Sequence, residues 1–195
     1  MKPRALLIHG WRVRDPARSI GRLVEPLQLL GYEVVMLRYG YVLGRARTAF
    51  AVRKFAKCWA ARTRPGDVVI GHSNGCTLAF EMSHYGSLAD THVWINPSLD
   101  TDVVPGRSVR RVLVIYNPGD WVVRIGAQLV RNSVWGPMGF RGYVANGDPF
   151  GPDPRYTSVE HGDGHSDWRK SDDLANLIDR YVRSAPAVLM EAAPG

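Results

Sequence analysis

Ser73 stands between two glycines in Gly71-His72-Ser73-Asn74-Gly75, where the apolar run Val68-Val69-Ile70 gives way to residues of helical period. A serine hydroxyl is a weak nucleophile at neutral pH. It attacks a carbonyl only when an imidazole takes its proton and a carboxylate fixes that imidazole's tautomer. Asp120 follows the run Arg111-Val112-Leu113-Val114-Ile115-Tyr116 through Asn117-Pro118-Gly119. His165 follows Tyr156-Thr157-Ser158-Val159-Glu160 on the glycine-rich turn His161-Gly162-Asp163-Gly164. A serine, a carboxylate and a histidine, each in a turn after a strand-like run, are the residue types of acyl transfer. The glycines flanking Ser73 have a steric reason as well, because a Cβ there would collide with the strand or helix in a sharp strand-to-helix reversal.

Each assignment has competitors. Asp100 and Asp102, in Ile95-Asn96-Pro97-Ser98-Leu99-Asp100-Thr101-Asp102, are alternative carboxylates, while Asp148 and Asp153 read as turn residues. His161 rivals His165 as the base, and the two histidines around Asp163 could also be taken for metal ligands, although no second ligand cluster occurs elsewhere. Ser98 lacks an elbow, and Cys76 reads as a packed thiol in the first helical turn after Ser73. Trp135, Phe140 and Tyr143 could form a substrate wall or a satellite of the core.

These residues need elements to position them. Six strand-like runs, at 4–8, 33–37, 67–70, 92–95, 111–116 and 156–160, alternate with helix-period segments at 19–30, 43–63, 74–85, 122–131 and 171–183. That alternation is the pattern of a parallel sheet covered on both faces. Groups beyond the carboxyl ends of such strands share one edge with Ser73. Pro26 should split or kink the first helix. In the second, Ala49, Val52, Phe55, Ala56 and Trp59 form an apolar stripe opposite Arg47, Arg53, Lys54, Lys57 and Arg64. The last helix buries Leu174, Leu177, Ile178, Tyr181 and Val182. Residues 133–155 break the alternation with prolines, glycines and aromatics, the composition of an ordered functional loop.

A chain of 195 residues, 45% hydrophobic, supports one core. We expect a single domain over residues 1–184 and a fraying tail at 185–195. Cys58 and Cys76 both look packed within helices, so two free thiols are expected and no disulfide framework. The absence of a membrane-length apolar window and of a signal-like leader predicts a soluble, cytoplasmic protein. The net charge of +7 implies nonspecific attraction to anionic surfaces or nucleic acid, carried by a solvated helix face, rather than base recognition.

In chain order and spacing, Gly71-His72-Ser73-Asn74-Gly75, Asn117-Pro118-Gly119-Asp120 and Gly162-Asp163-Gly164-His165 resemble the α/β-hydrolase family. The likeness runs from Leu6 to about Val182 and includes His9-Gly10-Trp11 after the first run, similar to the family's HG segment. The resemblance implies an α/β three-layer sandwich, a minimal α/β-hydrolase fold on a mainly parallel six-stranded sheet of order 2-1-3-4-5-6. The family's usual first two antiparallel strands are absent. Only about fourteen residues separate the fourth and fifth runs, where relatives insert a cap, so no large lid fits. It further implies a catalytic set of Ser73, Asp120 and His165, with the backbone N–H groups of Trp11 and Asn74 as the oxyanion hole. His9 and His72 are then structural. The implied activity is carboxylester hydrolysis on an accessible acyl group without metal or organic cofactor. Thioesterase, lipase, amidase and acyltransferase chemistry use the same machinery, and a hydrolase scaffold serving as a binding module for an anionic partner is the alternative from another class.

Overall fold

In the computed structural model the described residues are 2–10, 14–39, 45–129, 136–144, 153–161 and 171–184, with side chains at 45–50 and 126–129 excepted. Six strands, β1 (Arg4–Ile8), β2 (Glu33–Leu37), β3 (Val68–His72), β4 (Thr91–Ile95), β5 (Arg111–Tyr116) and β6 (Tyr156–Glu160), form one sheet of order β2-β1-β3-β4-β5-β6. Every pairing is parallel. The helices are α1 (Val24–Leu29), α2 (Arg45–Ala60), α3 (Asn74–His84), α4 (Trp121–Leu129), α5 (Met138–Arg141) and α6 (Ser171–Arg183).

Period-two alternation along the strands divides the core into two layers. On one face Leu6, Ile8, Val69, Trp94, Val112 and Val114 meet Val52, Ala56, Leu78 and Met82 of α2 and α3. On the other, Ala5, Leu7, Ile70, Val93, Leu113 and Ile115 meet Leu27 of α1 and Leu174 and Ile178 of α6. Full burial of each such aliphatic side chain contributes about 1.5–3 kcal/mol. The central strands of the sheet are therefore apolar on both faces, as expected where helices cover a parallel sheet.

Four details depart from or refine the sequence expectations. β3 extends through Gly71 and His72 because β4 continues beside it, pairing Gly71 with Trp94 and His72 with Ile95. The segment 19–30 divides into a 3-10 turn, Ile20–Leu23, and α1. Pro26 lies in the first turn of α1, where its missing N–H removes no helical bond. Residues 138–141 of the aromatic loop form the short helix α5. Cys58 is exposed, not packed. The stripe Val52, Ala56 and Ala60 faces the core, and Cys58 falls in phase with exposed Lys54 and Lys57. Cys76 is buried as expected. The tail at 185–195 lies outside the described residues.

Candidate active site

Ser73 joins β3 to α3 with φ 53° and ψ −122°. It and Asn96 (φ 45°) are the non-glycine residues of positive φ among the described residues. Asparagine tolerates the left-handed region through local hydrogen bonding. Serine has no such reason to be there, and a conformation of this kind costs on the order of 1–3 kcal/mol. The turn is held by Ser73 N–H donating to the Ile95 carbonyl at 2.9 Å and by Cys76 N–H donating to the Ser73 carbonyl at 3.0 Å.

The flanking glycines are demanded by backbone contacts. A Cβ on Gly71 would stand 2.8 Å from the Cys76 nitrogen, and one on Gly75 would stand 2.3 Å from the Ile8 carbonyl oxygen. Gly10 brings the His9-Gly10 segment alongside the turn, since its Cβ position lies 3.2 Å from Ser73 Cβ. Although Ser73 occupies the N-cap position of α3, its side chain makes no capping hydrogen bond. The half-buried hydroxyl is thus not committed to the commonest structural role of a helix-start serine. It lies at the positive end of the α3 dipole, where developing negative charge is favoured.

Asn74, the first residue of α3, is buried, and its Nδ2 donates to the Tyr39 hydroxyl at 3.2 Å. The Tyr39 ring stacks on His9, with centroids 4.3 Å apart and planes 7° from parallel. His9 Nδ1 lies 2.8 Å from the Gly10 carbonyl oxygen, and burial lowers the pKa of the imidazole. His9 and His72 are both buried.

Asp120 is fully buried at the carboxyl edge, just past β5. Asn117 shapes the approach, its side-chain oxygen accepting from Gly119 N–H at 2.7 Å. Asp120 Oδ1 accepts from Val123 N–H at 3.0 Å, so the carboxylate also caps α4. Asp100 and Asp102 are exposed. Burial, followed by the neighbouring Asp102 charge, raises the Asp100 pKa. Asp153 is held by Arg155, which lowers its pKa and makes it an ion-pair residue of the turn before β6. His161 is half-buried, its N–H donating to the Tyr116 carbonyl at 3.0 Å. His165, Trp11, Trp135 and Asp148 lie outside the described residues.

The helix α5 covers part of this edge. A Cβ on Gly139 would stand 2.8 Å from the Pro97 carbonyl oxygen, and the Gly139 carbonyl accepts from Asn117 N–H at 2.9 Å. Phe140 on α5 is half-buried beneath the Arg141 guanidinium, 5.3 Å from its ring centroid. Tyr143 stacks on Tyr156 with centroids 3.8 Å apart, next to Trp94 in the core layer of α3. Cys76 has a thiol pKa pushed well up by burial and its Sγ lies 3.6 Å from the Ile95 carbonyl oxygen, the state of an inert packed thiol. Ser98 Oγ faces Thr77 Oγ1 at 3.5 Å. Tyr39, two residues past β2, was missed in the sequence because an isolated tyrosine in Arg38-Tyr39-Gly40 carries no spacing signal.

Among the described residues no group of three His, Cys, Asp or Glu could hold a metal ion, and no helix is long and apolar enough to cross a membrane. The His161–His165 turn lies largely outside those residues.

No family model and no curated protein sequence matches the chain. Solved structures do. A lidless α/β serine hydrolase from Xanthomonas campestris superposes with TM-score 0.62 at 18% identity, covering 100% of this chain and 85% of that one. Mouse alpha/beta hydrolase domain-containing protein 10 gives 0.63 at 9% identity, with 94% and 90% covered. The esterase domain of a Rhodothermus marinus protein gives 0.55 at 14%, with 93% and 86% covered. With a six-stranded parallel sheet of order β2-β1-β3-β4-β5-β6 and a strained strand–serine–helix turn at its carboxyl edge, the chain has the α/β-hydrolase fold.

Proposed function

We propose that this chain is a serine hydrolase acting as a carboxylesterase through Ser73, His165 and Asp120. The observation that carries this reading is the backbone of Ser73, a non-glycine residue in a strained conformation whose hydroxyl caps nothing. Strain of this kind persists where the surrounding structure enforces it, and here two backbone hydrogen bonds and the close backbone approaches at Gly71 and Gly75 do so.

In the proposed reaction Ser73 Oγ attacks the ester carbonyl carbon while His165 takes the hydroxyl proton. The oxyanion accepts hydrogen bonds from the backbone N–H groups of Asn74 and Trp11. Collapse of this intermediate expels the alcohol, which leaves with the proton from His165. Water then attacks the acyl-enzyme with His165 again as base, releasing the carboxylic acid and restoring Ser73. Asp120 holds the imidazole and stabilises its cationic form. The buried position of Asp120 supports it over exposed Asp100 and Asp102. Phe140 and Trp135 are assigned to the acyl side, whereas the stacking of Tyr143 on Tyr156 favours a packing role for that ring.

The connection between β4 and β5 is confined to residues 96–110, which favours an accessible acyl group over one enclosed by a large lid. An ester substrate is favoured by the likeness to an esterase domain and to a lidless serine hydrolase. A fluorophosphonate probe is expected to label the native protein and not Ser73→Ala. Failure to label the native chain, or equal labelling of both, would overturn the nucleophile assignment and leave a binding module.

A further inference from the structure

Because the sheet runs β2-β1-β3, a side chain just past β2 can reach over the end of β1 to the start of α3, which follows β3. Tyr39 does so. It is 3% exposed, its hydroxyl accepts from Asn74 Nδ2 at 3.2 Å, and its ring lies parallel to that of His9 with centroids 4.3 Å apart. The stack alone would be served by phenylalanine. A buried tyrosine keeps its hydroxyl at a desolvation cost that the Asn74 bond offsets.

Each of these contacts holds one peptide group beside Ser73. Asn74 opens α3, so its backbone N–H stands outside the helix's own hydrogen-bond ladder. Its side-chain amide and that N–H share one Cα, and a bond that fixes the first restricts the second. On the other side, His9 Nδ1 lies 2.8 Å from the Gly10 carbonyl oxygen. A carbonyl can only accept, so Nδ1 carries the proton. That carbonyl belongs to the peptide unit residue 10 shares with residue 11, and because the unit is planar the bond sets its plane. The Tyr39 ring covers the imidazole and keeps it in the orientation this bond needs. The two segments also abut directly, since a Cβ on Gly75 would stand 2.7 Å from the His9 carbonyl oxygen.

We infer that Tyr39 is a positioning residue, which, by bonding the Asn74 side chain and stacking on His9, holds in one arrangement the two backbone N–H groups proposed for the oxyanion hole. The inference rests on the serine-hydrolase reading above. Donors stabilise an oxyanion most when they are aimed before the charge appears, so a group that fixes their aim acts on the transition state without touching it.

Tyr39→Phe keeps the stack and removes the hydroxyl. In the whole chain it is expected to lower kcat/KM for p-nitrophenyl acetate by about tenfold. Inhibition by a short-chain trifluoromethyl ketone, which forms a hemiketal oxyanion on Ser73, should weaken by a similar factor. A mere loss of folded protein would lower the rate and leave that inhibition constant unchanged. Asn74→Ala should also lower kcat/KM, and adding Tyr39→Phe to it should change the rate by less than about twofold, because the hydroxyl acts through that side chain. Unchanged kcat/KM in Tyr39→Phe, a fall in rate without weaker ketone inhibition, or full additivity in the double variant would overturn the inference and leave the serine-hydrolase reading in place. A native chain that neither hydrolyses the ester nor takes up a fluorophosphonate probe would overturn both.

Discussion

At the carboxyl edge of the sheet the chain is held by its backbone, with two glycines against carbonyl and amide atoms and a serine forced to φ 53°. At the amino edge it is held by side-chain charge, with Arg4 and Asp67 paired and Arg62 stacked on Trp59. The first arrangement fixes Ser73, the proposed nucleophile, in a strained backbone conformation. The second ties the turn after α2 to β1 through a buried ion pair, a hydrogen bond from Arg4 to the Arg62 carbonyl and a stacked guanidinium. One fold thus fixes one edge by backbone sterics and the other by paired charge.

The largest effect that would break this contrast is on catalysis. Asp120→Ala should reduce hydrolysis of p-nitrophenyl acetate by roughly a thousandfold or more, because the imidazole loses its orienting carboxylate. A nearly unchanged rate would transfer the acid role to Asp100 or Asp102. Gly75→Ala comes next, since its new Cβ would press on the Ile8 carbonyl at 2.3 Å. We expect a loss of about 3–4 kcal/mol in denaturant unfolding together with loss of activity.

At the other edge, Asp67→Ala should cost about 3 kcal/mol by leaving Arg4 unpaired, with side chains only 12% and 3% exposed in the pair. Its hydrolytic rate at temperatures below the melting transition should be unchanged. A parallel fall in stability and intrinsic rate would show that the edges are coupled after all.

A pH-dependent effect concerns His92, in the sheet between the two edges. It is fully buried, and desolvation lowers its pKa from 6.5 to about 3. Between those values the unfolded chain binds a proton that the folded chain does not. Stability is therefore complete above about pH 6.5 and declines as the pH falls, by up to about 1.4 kcal/mol per unit. His92→Leu should flatten that dependence in denaturant titrations from pH 7 to 4. An unaltered slope would assign the acid sensitivity elsewhere.

Much of the fold was legible because the central parallel strands carry an apolar signal that does not depend on their partners, and the edge strands β2 and β6 keep β-branched residues between turn residues. β1, β2, β5 and β6 have the expected bounds, and α6 does as well. The glycines flanking Ser73 could be read for the same reason, since a tight turn selects against Cβ whatever surrounds it. The exposure of Cys58 was misjudged because helical phase was read from the apolar stripe without the neighbour that fixes which flank is covered. The role of Tyr39 and the cavity lined by Trp59, Arg62 and Arg64 had no local signal at all, being made by residues far apart in the chain.

By itself, then, the amino-acid sequence determined the six strands and the serine turn, which rest on hydrophobic period and local sterics, while the strand order was implied by the resemblance to the α/β-hydrolase family. Only the tertiary structure decided that Asp120 is buried while Asp100 and Asp102 face solvent. Only it set Trp59, Arg62 and Arg64 beside β1 and β2 around one cavity. Burial and charge balance depend on what packs against a residue, and in a parallel fold those neighbours come from strands and helices distant in sequence.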